Sequence, residues 1–448
     1  MNIGAISLGC DKNRVDTEKM LARLTQGGHL IVSDADDADI IIVNTCAFID
    51  KAKEESIDEI LWSIAKKQSG KVGHVIITGC LAQRYEADLK AEFPEVDAIL
   101  GVKNYDDILS AVERISEGER IVNTVCKDAF YEKRVLTTPY HYAYLKIADG
   151  CDNHCTYCAI PAIRGRYKSE KIEDLLKEAK ALSDDGVKEL ILVAQDVTRY
   201  GIDFDGKPHL IELLKELAKL DFEWIRLLYL EPEMVDDELI SYVATEPKMV
   251  KYMDIPFQHI DSGVLKLMNR HTDENSTREL VKKVKQAGIT LRTTFICGFP
   301  NESEEAYEKL REFVKDGDLD YAGFFAYSRE EGTAADRLDG HIAEDIKEKR
   351  ANELSAIQQS IIEDRNRGLI GSTVRVIYDD IDYGKQMFVG RMSNQAPDID
   401  GVVYFKADEQ VQIGEFYDIE IVSAEGVDLI GVLANAHMGS PRNAILWG

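Results

Sequence analysis

The run Asp149-Gly150-Cys151-Asp152-Asn153-His154-Cys155-Thr156-Tyr157-Cys158 sets three cysteines within eight residues. Three thiolates on so short a loop can hold three irons of a cubane iron–sulfur cluster and leave the fourth iron open. That open iron is the functional point, because the amine and carboxylate of a small molecule can chelate it. Structural zinc is the plainer alternative, but it wants four closed ligands. His154, the available fourth, stands between two of the cysteines, where a tetrahedral fit is awkward.

A second set is dispersed. Cys10, Cys46 and Cys80 lie 36 and 34 residues apart, and each follows a strand-like run: IGAISLG, DIIIVNT and HVIITG. Any one alone reads as a buried small hydrophobe. In an open α/β sheet, however, ligands bind outside the carboxyl ends of the strands, so three cysteines at equivalent ends can converge on a shared metal site. Cys126 and Cys297 have no motif partner and read as buried thiols.

The rest of the chain must position these thiols. Its 448 residues suggest about three domains, and 45% hydrophobic with 30% charged residues is a globular balance. Eight cysteines are too few for a disulfide scaffold, which points to a reducing compartment. No run approaches the roughly 20 apolar residues of a membrane span, and MNIGAISLGC lacks a signal-peptide pattern. A cytoplasmic location is expected. The net charge of -27 makes nucleic acid a poor default partner and a basic protein a better one.

Residues 1–135 alternate apolar strands with helices near 16–24, 50–67 and 83–93, and VDAILG is a candidate fourth strand. This predicts an open parallel α/β sheet. Residues 136–368 repeat the alternation six times, with strands at 143–148, 189–194, 224–230, 252–257, 290–297 and 322–327. Helices at 171–183 and 277–286 separate some of them, and a helical linker spans 343–369. Six units suit a partial (β/α)6 barrel, and the three-cysteine loop follows its first strand, where such a barrel keeps its chemistry. Residues 369–436 carry five short strands that predict a small antiparallel β-barrel. The tail from His437 resembles a cloning remnant.

Several polar residues have two readings. Gln195 and Asp196 end the second barrel strand, where cofactor contacts belong, or they are loop polarity. His259 faces the site or is a satisfied buried histidine. Arg164 and Arg166 contact a carboxylate or pair with surface acids. Gly298–Pro300 reads as a turn, and the acid-rich 302–315 helix as a solvated face.

CxxxCxxC after the first strand of a partial barrel, with Tyr157 before the last cysteine, resembles the radical S-adenosylmethionine superfamily. The α/β domain with three dispersed cysteines and a barrel similar to a TRAM domain make the chain resemble the methylthiotransferases, to about residue 434. SLGCDKNRVDTE, NTCAFIDKAKEESID, GCDNHCTYCAIPAIRGRYKS, LVAQDVTRYG and MDIPFQHIDSGVLKLMNR resemble the branch acting on an aspartate of a ribosomal protein. Asp11 departs from that branch, which usually has proline there.

The resemblance implies two [4Fe–4S] clusters. Cys151, Cys155 and Cys158 would bind the one that reductively cleaves S-adenosyl-L-methionine, and Cys10, Cys46 and Cys80 an auxiliary one carrying the sulfur. Tyr157, Gln195, Asp196 and His259 would contact the cofactor. An aspartate β-carbon C–H bond is too inert for acid–base abstraction, so a radical must remove the hydrogen. Two S-adenosylmethionine molecules would be consumed, one for the radical and one for the methyl group. The implied substrate is ribosomal protein S12; the reductant and sulfur source are not legible. The rivals are the same chemistry on tRNA adenosine and a non-catalytic iron–sulfur electron carrier. From Leu369 to Ala436 four basic residues face twelve acids, a balance of 4 − 12 = -8. An RNA-binding barrel should show a basic stripe instead, and a basic ribosomal protein fits better.

Overall fold

The computed structural model describes residues 1–104, 107–124, 134–316, 318–407 and 410–434. Met1–Gln358 form one compact unit and the chain from Gln359 a second. Cys126 and the tail from His437 lie outside the described residues.

The first unit begins β1 (Asn2–Ser7), α1 (Asp11–Gln26), β2 (Leu30–Ile31), β3 (Ile40–Thr45), α2 (Asp50–Gln68), β4 (His74–Gly79), α3 (Cys80–Arg84), α4 (Glu86–Glu92), β5 (Ala98–Leu100), α5 (Asp107–Ser116), β6 (Ile121–Asn123). All six strands pair in parallel, in the order β2-β1-β3-β4-β5-β6. Ile40 to Val43 are fully buried because helices cover both faces, the reason their run is continuously apolar. The strand order reverses at β1, so the crevice of this sheet opens outside the ends of β1 and β3. The first helix starts at Asp11, earlier than the expected Asp16. The expected 83–93 helix is two helices, broken where Tyr85 takes φ -125° and ψ 37°. Two edge strands, β2 and β6, are too short to leave a pattern in the sequence.

The chain continues through β7 (Tyr142–Lys146), β8 (Ala148–Asp149), α6 (Ile160–Arg164), β9 (Lys168–Ser169), α7 (Ile172–Asp184), β10 (Glu189–Val193), α8 (Ile202–Asp205), α9 (Leu210–Leu217), β11 (Trp224–Leu227), α10 (Asp237–Thr245), β12 (Met249–Asp254), α11 (Ser262–Leu267), α12 (Glu274–Gln286), β13 (Thr290–Cys297), α13 (Glu304–Lys315) and β14 (Tyr321–Ala326). Six of these strands form an open parallel sheet in the order β14-β13-β12-β11-β10-β7, the expected partial barrel. Leu145, Leu192, Leu227, Met253, Leu291 and Phe295 belong to its single large core. The third strand ends before the expected Leu230, because Tyr229 takes φ +63°, which no strand residue can hold.

Helix α14 (Glu344–Arg367) is followed by a closed barrel of β15 (Thr373–Asp382), β16 (Met387–Met392), β17 (Val403–Lys406), β18 (Phe416–Glu425) and β19 (Asp428–Leu433), ordered β15-β16-β17-β19-β18. One seam corrects the expectation of an antiparallel barrel: β17 and β19 run parallel. Strand directions cannot alternate all the way around a closed ring of five, so one parallel pair is unavoidable.

Phe405 is fully buried at the centre of this barrel, its ring centroid 5.4 Å from that of Phe388 and 5.7 Å from that of Tyr378. Phe405→Ala should destabilise the barrel by about 3–5 kcal/mol. Denaturant unfolding followed by tyrosine fluorescence should show the barrel transition moving to lower denaturant. An unmoved transition would contradict this packing.

Candidate functional site

Cys10, Cys46 and Cys80 hang from the ends of three neighbouring strands, β1, β3 and β4. Cys10 caps α1, Cys46 directly follows β3, and Cys80 opens α3. Two glycines allow the approach. At Gly9 (φ +85°) a Cβ would stand 2.8 Å from the Cys46 Sγ, and at Gly79 (φ +94°) it would meet Asn44 Oδ1 at 2.3 Å. The backbone N–H of Cys46 donates to Ser56 Oγ (2.9 Å), fixing it against α2. Asn13 ties two of the strand ends together, its Nδ2 donating to Leu8 O (2.8 Å) and Thr45 O (3.1 Å).

The second triad lies on the loop after β8. Gly150 (φ +80°) starts it, where a Cβ would strike Arg166 O at 2.2 Å. Three donors reach the sulfurs: the Asn153 N–H to Cys151 (3.5 Å), the Ile160 N–H to Cys158 (3.5 Å) and Arg270 Nη1 to Cys155 (3.7 Å). Burial pushes the Cys46, Cys151 and Cys158 thiols up to about 12, and raises Cys80 as well. Such thiols give up their protons only to a cation held among them. All six are free of disulfides. Among the described residues no three donors are placed to hold a single metal ion, whereas a cluster spreads its thiolates around a larger body. The donor set fits iron–sulfur clusters.

Around this loop Asn153 Nδ2 donates to Asp196 Oδ2 (3.0 Å) and to Glu231 Oε2 (3.3 Å), and Arg270 pairs with Glu231 at 2.6 Å. Burial lifts the Glu231 carboxyl to about 7 against the opposing pull of Arg270. Gln195 donates to Asp149 Oδ1 (3.2 Å). Gln195 Oε1 and Asn153 Oδ1 are buried acceptors without a partner among the described residues, as expected of atoms that await a donor from a bound molecule. Tyr157 is half-buried, and burial together with the neighbouring Cys155 pushes its hydroxyl well above the usual range. A cavity of 390 Å³ opens next to Cys151, lined also by Asp152, His154 and Arg166.

His259 is buried and has partners of its own. Its Nδ1 accepts from the Asp261 N–H (2.9 Å), and its Nε2 lies 3.4 Å from Glu302. Glu302 departs from the solvated face expected of its segment: it is buried, pairs with Arg350 at 2.6 Å and accepts the Gly298 N–H. Cys297 is buried, as expected. Arg166 is exposed and near Asp152 (3.4 Å).

Arg164 has a larger role than either expected reading. It is buried, and Nη1 pairs with Asp16 Oδ2 (3.0 Å) of α1 and Asp149 Oδ2 (3.1 Å) of the cluster loop. Its Nη2 donates to Asn13 Oδ1 (3.1 Å), and its charge draws the Cys80 thiol down against the effect of burial. Lys146 joins the same two aspartates. Burial alone would raise the Asp149 carboxyl, but Arg164 and Lys146 overturn that and hold it well below the usual range. Ala159 and Ile163, either side of the start of α6, pack with Leu81 and Ala82 in the core of the N-terminal sheet. At the far edge Arg84 and Lys53 pair with Glu330, beyond β14, at 2.8 and 3.1 Å. The first sheet is thereby clamped to the strand-end face of the second. Sequence spacing carries no signal of these long-range pairs.

This fold and these two triads define a member of the radical S-adenosylmethionine superfamily. The superfamily model matches residues 145–314, an uncharacterized family, UPF0004, matches residues 2–101, and a TRAM domain matches residues 370–433. The ribosomal protein uS12 methylthiotransferase RimO of Clostridium botulinum (strain Loch Maree / Type A3) is 45% identical over 97% of this chain and 98% of its own. That of Thermoanaerobacter sp. (strain X514) is 44% identical over 96% and 99%. The chain belongs to the uS12 methylthiotransferase RimO family. Among solved structures, the radical S-adenosylmethionine methyltransferase TsrM from Kitasatospora setae, with tryptophan and a SAM analog bound, matches with TM-score 0.54 at 14% identity, covering 85% of this chain and 78% of that one. The cobalamin-dependent enzyme OxsB matches with TM-score 0.51 at 12% identity, over 80% and 56%. Both likenesses concern the fold.

Removing Arg164 would leave two buried carboxylates sharing one lysine. Arg164→Met should cost about 3 kcal/mol or more, lowering the thermal midpoint and opening the 134–141 connection to protease, with partial recovery in Arg164→Lys. An unchanged midpoint would contradict the network.

Proposed function

We propose that this chain inserts a methylthio group at the β-carbon of an aspartate in ribosomal protein uS12. It is a transferase of the radical S-adenosylmethionine class, and its cofactors are two [4Fe–4S] clusters and S-adenosyl-L-methionine. The observation that carries the reading is two thiol triads at the strand ends of two parallel sheets, joined through buried Arg164. Cys151, Cys155 and Cys158 would hold one cluster and Cys10, Cys46 and Cys80 the other. Bound there, the clusters supply the electron that cleaves S-adenosylmethionine and the sulfur to be inserted.

The chain's own residues do the positioning. Gln195 Oε1 and Asn153 Oδ1 offer acceptors to the amine and hydroxyls of the cofactor, with Asp196 and Glu231 orienting Asn153. Tyr157 and Arg270 shield Cys155 from water. The domain division follows the chemistry: 1–135 for the auxiliary cluster, 136–368 for radical generation and 369–436 for substrate docking.

In the terminal barrel one of the four cations is buried on a carboxylate, and two of the three exposed ones lie over aromatic rings. Arg391 is buried on Asp379 at 2.6 Å, while Arg375 lies over the Phe416 ring at 4.2 Å and Lys385 over Tyr404 at 3.5 Å. An acidic barrel with no basic track suits a basic ribosomal protein. No helix among the described residues is long and apolar enough to cross a membrane, and the site of action is the cytoplasm, where ribosomes are.

Reconstituted protein given S-adenosylmethionine, reductant, sulfide, uS12 and unmodified tRNA together should place methylthio only on the uS12 aspartate, read by mass spectrometry. Methylthio on tRNA alone would overturn the substrate reading.

A further inference from the structure

Lys12 is a cation whose side chain is largely covered and whose ammonium has no anion among the described residues. It lies on the first turn of α1, two residues after Cys10, and is 6% exposed. Among the described residues its ammonium makes no ion pair and no hydrogen bond. Its one partner is the Tyr229 ring, whose centroid lies 3.2 Å from Nζ. A cation–π contact is worth about 1 kcal/mol and leaves the charge of the ammonium available to an anion. The carboxylates in this region are already committed. Asp11 accepts the Tyr229 hydroxyl (3.0 Å), and Asp254 takes the Tyr229 N–H (3.0 Å) and Arg292 (3.1 Å). Asp16 and Asp149 are held by Arg164 and Lys146, and Glu231 by Arg270.

Tyr229 fixes where this cation sits. It follows β11 at the carboxyl-end mouth of the partial barrel, held at φ +63°, and its hydroxyl donates at 3.0 Å to Asp11, the residue after Cys10. Lys12 therefore lies at the junction of the auxiliary thiols and the barrel mouth. A substrate carbon that loses hydrogen on one side and gains sulfur on the other must occupy that junction.

We propose that Lys12 binds the side-chain carboxylate of the substrate aspartate and so selects an anionic side chain; this rests on the uS12 reading above. The carboxylate carbon is bonded directly to the β-carbon, so an ion pair there fixes the reacting atom one bond away. A neutral side chain would offer the ammonium no counter-charge, which makes the same contact a filter against asparagine.

The test uses the reconstituted enzyme and fluorescently labelled uS12, either native or with the target aspartate replaced by asparagine. Wild type should bind native uS12 on the order of tenfold more tightly than the asparagine form. Lys12→Met should bind the two equally with its iron content and cluster EPR spectra retained, and Lys12→Arg should recover part of the preference. Undiminished discrimination in Lys12→Met would overturn the proposal. So would loss of discrimination accompanied by loss of iron, which would make Lys12 a partner of the cluster. If wild type neither binds nor modifies uS12, the substrate reading itself fails.

Discussion

The structure depends on a small group of buried charges. Arg164 and Lys146 meet Asp16 and Asp149 away from water, where none of the four is tolerable alone. Because Asp16 belongs to α1 and Asp149 to the cluster loop, satisfying the charges brings two sheets together in one arrangement. The arrangement also orients the thiols. Asp149 precedes Cys151 by two residues, and Asn13, whose Oδ1 accepts from Arg164, ties the ends from which Cys10 and Cys46 hang. Hydrophobic packing of Ile163 and Ala159 against Leu81 and Ala82 adds affinity without direction. The ion network supplies the direction.

Each triad is then a local solution to a backbone problem. The dispersed thiols use three adjacent parallel strands, so their spacing across the sheet is set by strand separation. Gly9 and Gly79 remove the side chains that would stand in the way. The clustered thiols use a loop whose sulfurs accept N–H groups from Asn153 and Ile160, which favours the thiolate form once a cation is present. Burial opposes that form in the absence of a cation, so the unloaded cysteines resist idle reactivity.

What was legible in the residues follows the range of the interactions. Strand runs such as IIIV, the Cys151–Cys158 spacing and the strand-end cysteines are local patterns, and the six-unit barrel emerged with a strand as exact as Thr290–Cys297. Arg164 was legible only as an ambiguity, since its partners at 16 and 149 are separated by 133 positions and share no pattern. Lys12 lies before the helix expected near 16–24, and only its place beside the Tyr229 ring, with no anion among the described residues, distinguishes it. The parallel seam between β17 and β19 follows from closing five strands, which strand patterns alone do not announce.

The central claim is that both triads hold clusters in one chain. Mössbauer spectroscopy of protein reconstituted with ⁵⁷Fe tests it most directly. The account predicts about eight irons per chain as two [4Fe–4S] clusters, falling to about four when Cys10, Cys46 and Cys80 are all replaced by alanine and equally when Cys151, Cys155 and Cys158 are. A single cluster in the unaltered protein, or iron unaffected by either triple replacement, would contradict it.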